Sequence, residues 1–401
     1  MLSFDEALTR LLADAKAVTE TSSLPTLNAH GRVLAEPLYA AFDSPPLDNS
    51  AMDGYALRVA DLPAKGTCLP VSQRIPAGTV GTPLQPGTVA RIFTGAPIPA
   101  GADAVVMQEL CEHGEGGVMI NHMPQLGDFI FHAGSDSTIG SCILPAGRRL
   151  RPQDMALAAS LGIVQLPVFR RLRVAVFFTG DELHMPGEVL PAGGIYNANR
   201  FSLTALLERL GCEVCDLGQV PDNLEATRAA LRAAAQNNDL ILTSGGVSMG
   251  EEDHVKPAVN AEGRLDMWQI AVKPGKPLAF GHVAAAGQDV AFIGLPGNPV
   301  SSFVTFLLFV RPFVMRMQGI TQITPTAYTL RADFDRLRAN ERREFVRAHT
   351  NANGGVDLFP NQGAGALTSI VWADGLIDVP SLQAIRCGDM VRFLPFSELL
   401  S

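Results

Sequence analysis

The stretch 172–319 constrains the fold of this chain more than any other part. Leu172-Arg173-Val174-Ala175-Val176-Phe177-Phe178 and Asp239-Leu240-Ile241-Leu242-Thr243 are almost unbroken apolar runs rich in β-favouring residues. A strand that shows no polar alternation is one buried on both faces. Between these runs lie a helical pattern over 200–210 closed by Gly211, a short strand over 214–217 and an alanine-rich helix over 224–235. Ala291-Phe292-Ile293-Gly294 supplies a further strand, and an apolar helix comes after Pro299. Strands alternating with helices predict a three-layer α/β domain around a parallel sheet. Ligands bind such sheets at the carboxyl ends of the strands, so the loops after Phe178, Leu217, Thr243 and Gly294 are the places to look.

The flanks read differently. Over 3–16 the sequence predicts an amphipathic helix, with Ser3 and Glu6 as a capping box and Leu8, Leu11, Leu12 and Ala15 at helical spacing. The region 24–147 is β-rich with frequent Pro and Gly, and a helix is expected over 151–161. Beyond Gly319, strands at 327–332, 343–349, 356–359 and 390–394 predict a small β-barrel or sandwich. The longest apolar run, 303–310, is expected to stop at Arg311-Pro312, well short of the ~20 residues of a spanning helix, and so reads as a core helix.

With 40 acidic against 31 basic residues the net charge is -9, which argues against a nucleic-acid binder. A few lysines can still hold a small anion. The acidic start, Met1-Leu2-Ser3-Phe4-Asp5-Glu6, is unlike a signal peptide, and six scattered cysteines suit a cytoplasmic, membrane-free protein. Cys212 and Cys215 fall on a strand, where residues three apart face opposite ways, so they are not expected to act as a pair.

The strand-end loops are dense in glycine and carboxylate. Thr179-Gly180-Asp181-Glu182-Leu183 ends the first strand, Asp222 comes after the second, and Ser244-Gly245-Gly246-Val247-Ser248-Met249-Gly250-Glu251-Glu252-Asp253 after the third. Backbone N–H groups of the double glycine, with Ser244 and Ser248, can curl round an anionic oxygen. The acids would repel that anion unless a divalent cation sat between them, and few protein oxygens plus water and phosphate suit Mg²⁺. Plainer readings stand beside this one: Asp222 with Glu225 as a capping box, and Asp181-Glu182 as first-turn acids of a helix. In Lys273-Pro274-Gly275-Lys276-Pro277 the turn lets two ammonium groups converge on one oxyanion. Gly294-Leu295-Pro296-Gly297-Asn298-Pro299-Val300-Ser301 adds a helix N-terminus and a hydroxyl.

Taken in order, Asp48-Asn49-Ser50-Ala51-Met52-Asp53-Gly54-Tyr55-Ala56, Arg91-Ile92-Phe93-Thr94-Gly95-Ala96, Thr179-Gly180-Asp181-Glu182-Leu183, Ser244-Gly245-Gly246-Val247-Ser248-Met249-Gly250, Lys273-Pro274-Gly275-Lys276-Pro277 and Gly294-Leu295-Pro296-Gly297-Asn298-Pro299 make the whole chain resemble the molybdopterin molybdenumtransferase family. The resemblance implies an elongated α/β multidomain subunit forming a homodimer. Its parts would be a first domain from 1–42 and 137–167, a β-rich domain over 43–136, a molybdopterin-binding α/β domain over 168–319 and a C-terminal β-barrel over 320–401. It implies insertion of molybdate into adenylylated molybdopterin with Mg²⁺ and release of AMP, downstream of a molybdopterin adenylyltransferase. Carried over by motif, Asp53, Thr94, Asp136, Glu182, Asp222 and Asp253 are the family's catalytic polar residues, with Glu182, Asp222 and Asp253 as metal ligands. Ser244, Gly245, Gly246, Ser248, Lys273, Lys276, Pro296, Pro299, Ser301 and Arg347 are its substrate and phosphate ligands. The resemblance also implies that Asp53 comes from the partner subunit.

One departure stands out. Where the family often has Gln-Gly-Ser-Gly, this chain has Gln362-Gly363-Ala364-Gly365, so a molybdate-holding hydroxyl is lost unless Thr368 or Ser369 replaces it. Two other functions compete. A catalytically silent, gephyrin-like scaffold would lose the acids, which are present here. A nucleotide pyrophosphatase or amidase could share the α/β domain but would not need the segments around Asp53 and Lys273.

Overall fold

The computed structural model describes residues 1–247, 253–285 and 287–400. At its centre is a six-stranded sheet in the order Glu213–Val220, Arg173–Thr179, Leu240–Ser244, Gln288–Leu295, Pro277–Ala285, Gly263–Gln269. The first four strands are parallel, and the last two are antiparallel additions. The sheet is therefore mixed, and its outer hairpin departs from the all-parallel expectation. In that hairpin Gly263–Gln269 mixes Arg264, Asp266 and Gln269 with its apolar residues and Pro277–Ala285 is interrupted by Gly281 and His282, so neither shows the long apolar run of the parallel strands.

Side chains alternate across the sheet. Val174, Val176, Phe178, Leu240, Leu242 and Ile293 enter the core shared with helix Ala198–Arg209 and the helix that starts at Pro299. Ala175, Phe177, Ile241 and Phe292 enter the opposite core with helices Leu224–Ala235 and Val255–Glu262. Three layers result. The edge strand begins at Glu213, so only Cys215 lies on it, exposed, while Cys212 is buried in the turn just before it.

The helix from Pro299 does not stop at Arg311-Pro312. It runs through a π turn, Phe306–Val310, into Arg311–Met317. Proline lacks the N–H that an α-helical ladder needs, and a wider π turn just before it accommodates the loss. Among the described residues Pro299–Met317 is the one helix long and apolar enough to cross a membrane, and 89% of that window is buried inside the protein. Arg311 lies in this core because its guanidinium donates to Ile323 O at 3.0 Å and Glu398 O at 2.9 Å.

The N-terminal helix forms as Phe4–Ala13 with the expected Ser3/Glu6 capping box. The family resemblance groups it with the 137–167 stretch, yet it packs on the sheet domain and barrel: Ala7 and Leu11 join the main core, and Phe4 meets Phe309 and Phe345 at 5.2 and 5.3 Å. The body containing 137–167 is tied by Thr21–Pro25 paired with Gln165–Phe169 and by Leu38–Tyr39 paired with Cys142–Leu144. Between these excursions the β-rich region forms a four-stranded sheet with Gly54–Leu57 at its middle and a three-stranded sheet; one core, with Tyr55, Val106, Val118 and Ile120, lies between them, and a second, with Ala56, Ile75 and Ile92, covers the other face of the four-stranded sheet.

At the C-terminus, Arg343–Thr350, Gly355–Leu358, Tyr328–Ala332, Met390–Pro395 and Gly375–Val379 close on themselves, since the first also pairs with the last. This is a five-stranded barrel. The short strand Val272–Lys273 adds to it in parallel, which joins the lysine turn of the α/β domain to the barrel. The accessible surface is 18787 Å² for 42.6 kDa, against roughly 15,000 Å² for a compact chain of that mass. The subunit is extended.

Candidate active site

The loops at the carboxyl edge of the sheet are tied together by a buried polar lattice. Asn199, 8% exposed, donates through Nδ2 to Ser244 Oγ and to Gly297 O, each at 2.7 Å. Ser244 Oγ donates in turn to Pro296 O at 2.9 Å. One side chain from the helix after Asn197 thus locks the double-glycine loop to the Pro296-Gly297 loop. Sequence reasoning misses Asn199. Its only sign is a polar residue in the first turn of a helix that otherwise reads as ordinary.

Gly245 and Gly246 take φ of +99° and +63°, where a side chain is disfavoured. A Cβ on Gly245 would lie 2.6 Å from Thr179 O, and one on Gly246 2.5 Å from Val255 Cγ2. The Gly245 N–H is taken by Leu295 O at 3.2 Å, so it is not offered to an oxyanion here. Ser248 lies outside the described residues.

The acids occupy the neighbouring strand end. Thr179 Oγ1 donates to Asp222 Oδ1 at 2.9 Å. Asp222 does not cap the alanine-rich helix. Asn223 does, accepting from Ala226 N at 2.9 Å, and this leaves Asp222 facing the strand end. No helix comes after Asp181-Glu182 either, because the chain continues into the short strand Leu183–His184. Glu182 folds back so that its Oε2 would be 2.6 Å from a Cβ on Gly180, and Gln219 fixes this turn by donating to Gly180 O and Leu183 O at 3.0 and 2.9 Å. Asp253 is half-buried just before helix Val255–Glu262. Among the described residues no group of three or more His, Cys, Asp or Glu is arranged to hold a metal ion.

Lys273 and Lys276 line one cleft of 730 Å³ with Arg336, Arg338 and Arg342 from the barrel side. Lys273 Nζ is 3.0 Å from Oε1 of Glu344, whose other oxygen takes Arg336. Burial pushes the Glu344 carboxyl up, but the bonds from Arg336 and Lys273 outweigh it and hold it below the usual range. Gly275 sits at φ +108° against the helix from Pro299, where a Cβ would be 2.3 Å from Thr305 Oγ1. Pro299 and Ser301 begin that helix, with Ser301 buried, and the N–H of Val300 is taken by Ala364 O at 3.0 Å.

Arg347 is 1% exposed, donating through Nε to Ser369 Oγ at 3.0 Å and through Nη2 to Gly363 O at 3.3 Å. Burial, then the nearby Arg336, lowers its guanidinium to about 10. In this arrangement it holds the 362–366 loop. Ser369 also donates to Ala366 O at 2.6 Å, so its hydroxyl is committed and does not stand in for the missing serine at 364. Thr368 is exposed.

In the β-rich region Thr94 donates to Asp53 Oδ1 from both N and Oγ1, each at 2.8 Å. These bonds, led by the backbone one and helped by Arg91, hold the Asp53 carboxyl below its usual range. Asp136 is exposed, its N–H bonded to Ser44 O at 2.9 Å. Asp53 and Thr94 are brought together by their own bonds, within the β-rich region and apart from the lattice that ties the sheet-edge loops of the same chain.

Three consecutive family models match: the "MoeA N-terminal region (domain I and II)" over 2–162, a "Probable molybdopterin binding domain" over 175–316 and the "MoeA C-terminal region (domain IV)" over 329–396. The molybdopterin molybdenumtransferase of Haemophilus influenzae is 38% identical over 100% of both chains. The chain belongs to the molybdopterin molybdenumtransferase family. Molybdopterin molybdenumtransferase 2 of Mycobacterium tuberculosis is 35% identical over 92% of this chain and 94% of its own. The crystal structure of the molybdopterin biosynthesis moeA protein of Pyrococcus horikoshii superposes with a TM-score of 0.85 at 30% identity, over 98% of this chain and 100% of that one. The multidomain α/β architecture with its closed C-terminal barrel is thus the family's.

Proposed function

We propose that the chain is a transferase that inserts molybdate into adenylylated molybdopterin, releasing AMP and forming molybdenum cofactor. The observation that carries this reading is the Asn199 lattice, which draws the double-glycine and Pro296-Gly297 loops into one edge beside Asp222 and Glu182, in a chain related end to end to molybdenumtransferases. The scaffold and pyrophosphatase readings are not favoured, because the acids and both extra segments are present in place.

Gly246 and the residues after it bind a phosphate oxygen of the substrate, while Lys273 and Lys276 bind the incoming oxyanion as compact point charges. Glu344 fixes the direction of the Lys273 ammonium, and Arg347 sets the 362–366 loop over the helix start. Ser244, Pro296, Pro299 and Ser301 shape the wall against which the pterin phosphate lies. The donor set fits a hard divalent cation, since Mg²⁺ needs only one or two carboxylates and takes the rest from water and phosphate. Glu182 with Asp222 or Asp253 would hold it, and when bound it neutralises charge on the phosphoanhydride. Asp53, oriented by Thr94, positions water or substrate from the partner subunit of a homodimer, and Asp136 contributes a further carboxylate. Its substrate has to come from a molybdopterin adenylyltransferase, in the cytoplasm.

The test is a defined assay with adenylylated molybdopterin, molybdate and Mg²⁺. Glu182→Ala and Asp53→Ala should each lower the rate on the order of 10²-fold. Near wild-type rates in both would overturn the assigned roles.

A further inference from the structure

At the opposite end of the central sheet, far from these loops, arginines from two parts of the chain converge. Arg170 and Arg171 immediately precede strand Arg173–Thr179, Arg209 ends helix Ala198–Arg209, and Arg32 and Arg149 come from the body containing the 21–25 strand. Together they line a cleft of 210 Å³. Arg170 is neutralised, with Asp239 at 2.6 Å and Glu20 at 2.6 Å. The others are not. Among the described residues Arg32, Arg149, Arg171 and Arg209 form no ion pair; Glu208 lines the cleft, and nearby Glu213 is engaged by Arg173 at 3.6 Å.

Backbone carbonyls account for part of this. Arg32 donates to Phe169 O at 2.8 Å, Arg149 to Arg209 O at 2.7 Å and Arg209 to Leu400 O at 2.5 Å. The Arg149 bond also covers a carbonyl at the negative end of helix Ala198–Arg209, which would otherwise oppose an anion. Each guanidinium carries five N–H donors, so most remain for a ligand. Arg32 and Arg149 are half-buried, and both are held below the usual arginine range by burial and by neighbouring cations. Partly desolvated cations facing one another, in a chain of net charge -9, are costly unless an anion joins them. The cleft is smaller than the roughly 300–1,000 Å³ of drug-sized ligands yet several times the ~30 Å³ of a water.

We propose that this cleft is a second oxyanion site, separate from the sheet-edge loops, that binds a small phosphate-class anion: orthophosphate or pyrophosphate. Arg32, Arg149 and Arg171 are its ligands, with Arg209 closing one side. The proposal does not depend on the reaction assigned to the other end of the sheet.

The test is equilibrium binding of radiolabelled phosphate and pyrophosphate, in separate arms at low salt, to the full chain. A Lys273→Gln/Lys276→Gln variant removes the lysine cleft and should still bind an anion at the arginine cleft, over and above any held by the Gly246 loop. Arg32→Gln/Arg171→Gln added to it should weaken that binding at least about tenfold. The exposed Arg171→Gln alone, against Arg171→Lys, serves if the double change impairs folding: Gln should weaken binding and Lys largely restore it. The arm with the tighter binding names the anion. No anion bound by the lysine variant, or equal binding with and without the arginine changes, overturns the site.

Discussion

Thr94 shows how little of a site one residue needs to supply. It gives two donors to one carboxylate oxygen of Asp53, and these fix both the direction and the charge of that group. Removing the hydroxyl in Thr94→Val leaves the backbone donor, so the carboxyl should titrate closer to its ordinary value. Because the folded-state value is depressed, the acid limb of the activity profile should move to higher pH in Thr94→Val and return in Thr94→Ser, with a loss on the order of tenfold at neutral pH. A pH–rate profile of AMP release checks this; an unmoved limb would separate Asp53 from the chemistry. At this scale the sequence is a partial guide. Asp53, Thr94 and the lysines stand out because their strings match a family. Asn199 and Glu344 do not, because their roles exist only once chain segments 45 and 71 positions away are folded against them.

Elements carry the positioning. The turn holding Lys273 and Lys276 is pressed against the helix from Pro299 closely enough that Gly275 has no room for a methyl group. Gly275→Ala should cost about 1–3 kcal/mol of stability from the strained φ and the contact with Thr305, and raise KM for the adenylylated substrate about tenfold. Urea denaturation and steady-state kinetics check the two effects; an unchanged KM would show that the turn does not orient the lysines. The alanine-rich helix is legible to the residue, since a long periodic run needs no tertiary information. Its cap is misread by one position because Asp222 and Asn223 are chemically near-equal candidates, and only the pull of Thr179 on Asp222 separates them. The continuation of the core helix through Arg311-Pro312 is hidden for the opposite reason. A proline is a strong local stop signal, overridden here by a π turn inside a buried, mostly apolar core.

At the scale of the molecule, two junctions decide whether the distant segments act as one site. The first is the Lys273–Glu344–Arg336 group joining the lysine turn to the barrel. A carboxyl with a depressed folded-state value contributes stability above its unfolded value of about 4.3 and loses it as pH falls. Glu344→Gln should therefore lower the unfolding free energy at neutral pH, read from urea denaturation, by about 3 kcal/mol for a broken buried pair, and flatten its decline in acid. An unaltered acid slope would assign that decline to other carboxylates. The second junction lies between two copies. If Asp53 acts on the sheet edge of its partner, Asp53→Ala and Lys273→Ala each keep only a small residual activity, but a mixed dimer has one site in which both residues are changed and one in which neither is. Random co-assembly makes half the dimers mixed, each with one of two sites intact, so co-expression should restore roughly a quarter of wild-type activity. Were both residues to serve the site of their own copy, every site in the mixture would lack one of them and activity would stay at the floor of the single variants. The same specific activity in mixed and unmixed preparations would therefore place the whole site within one chain.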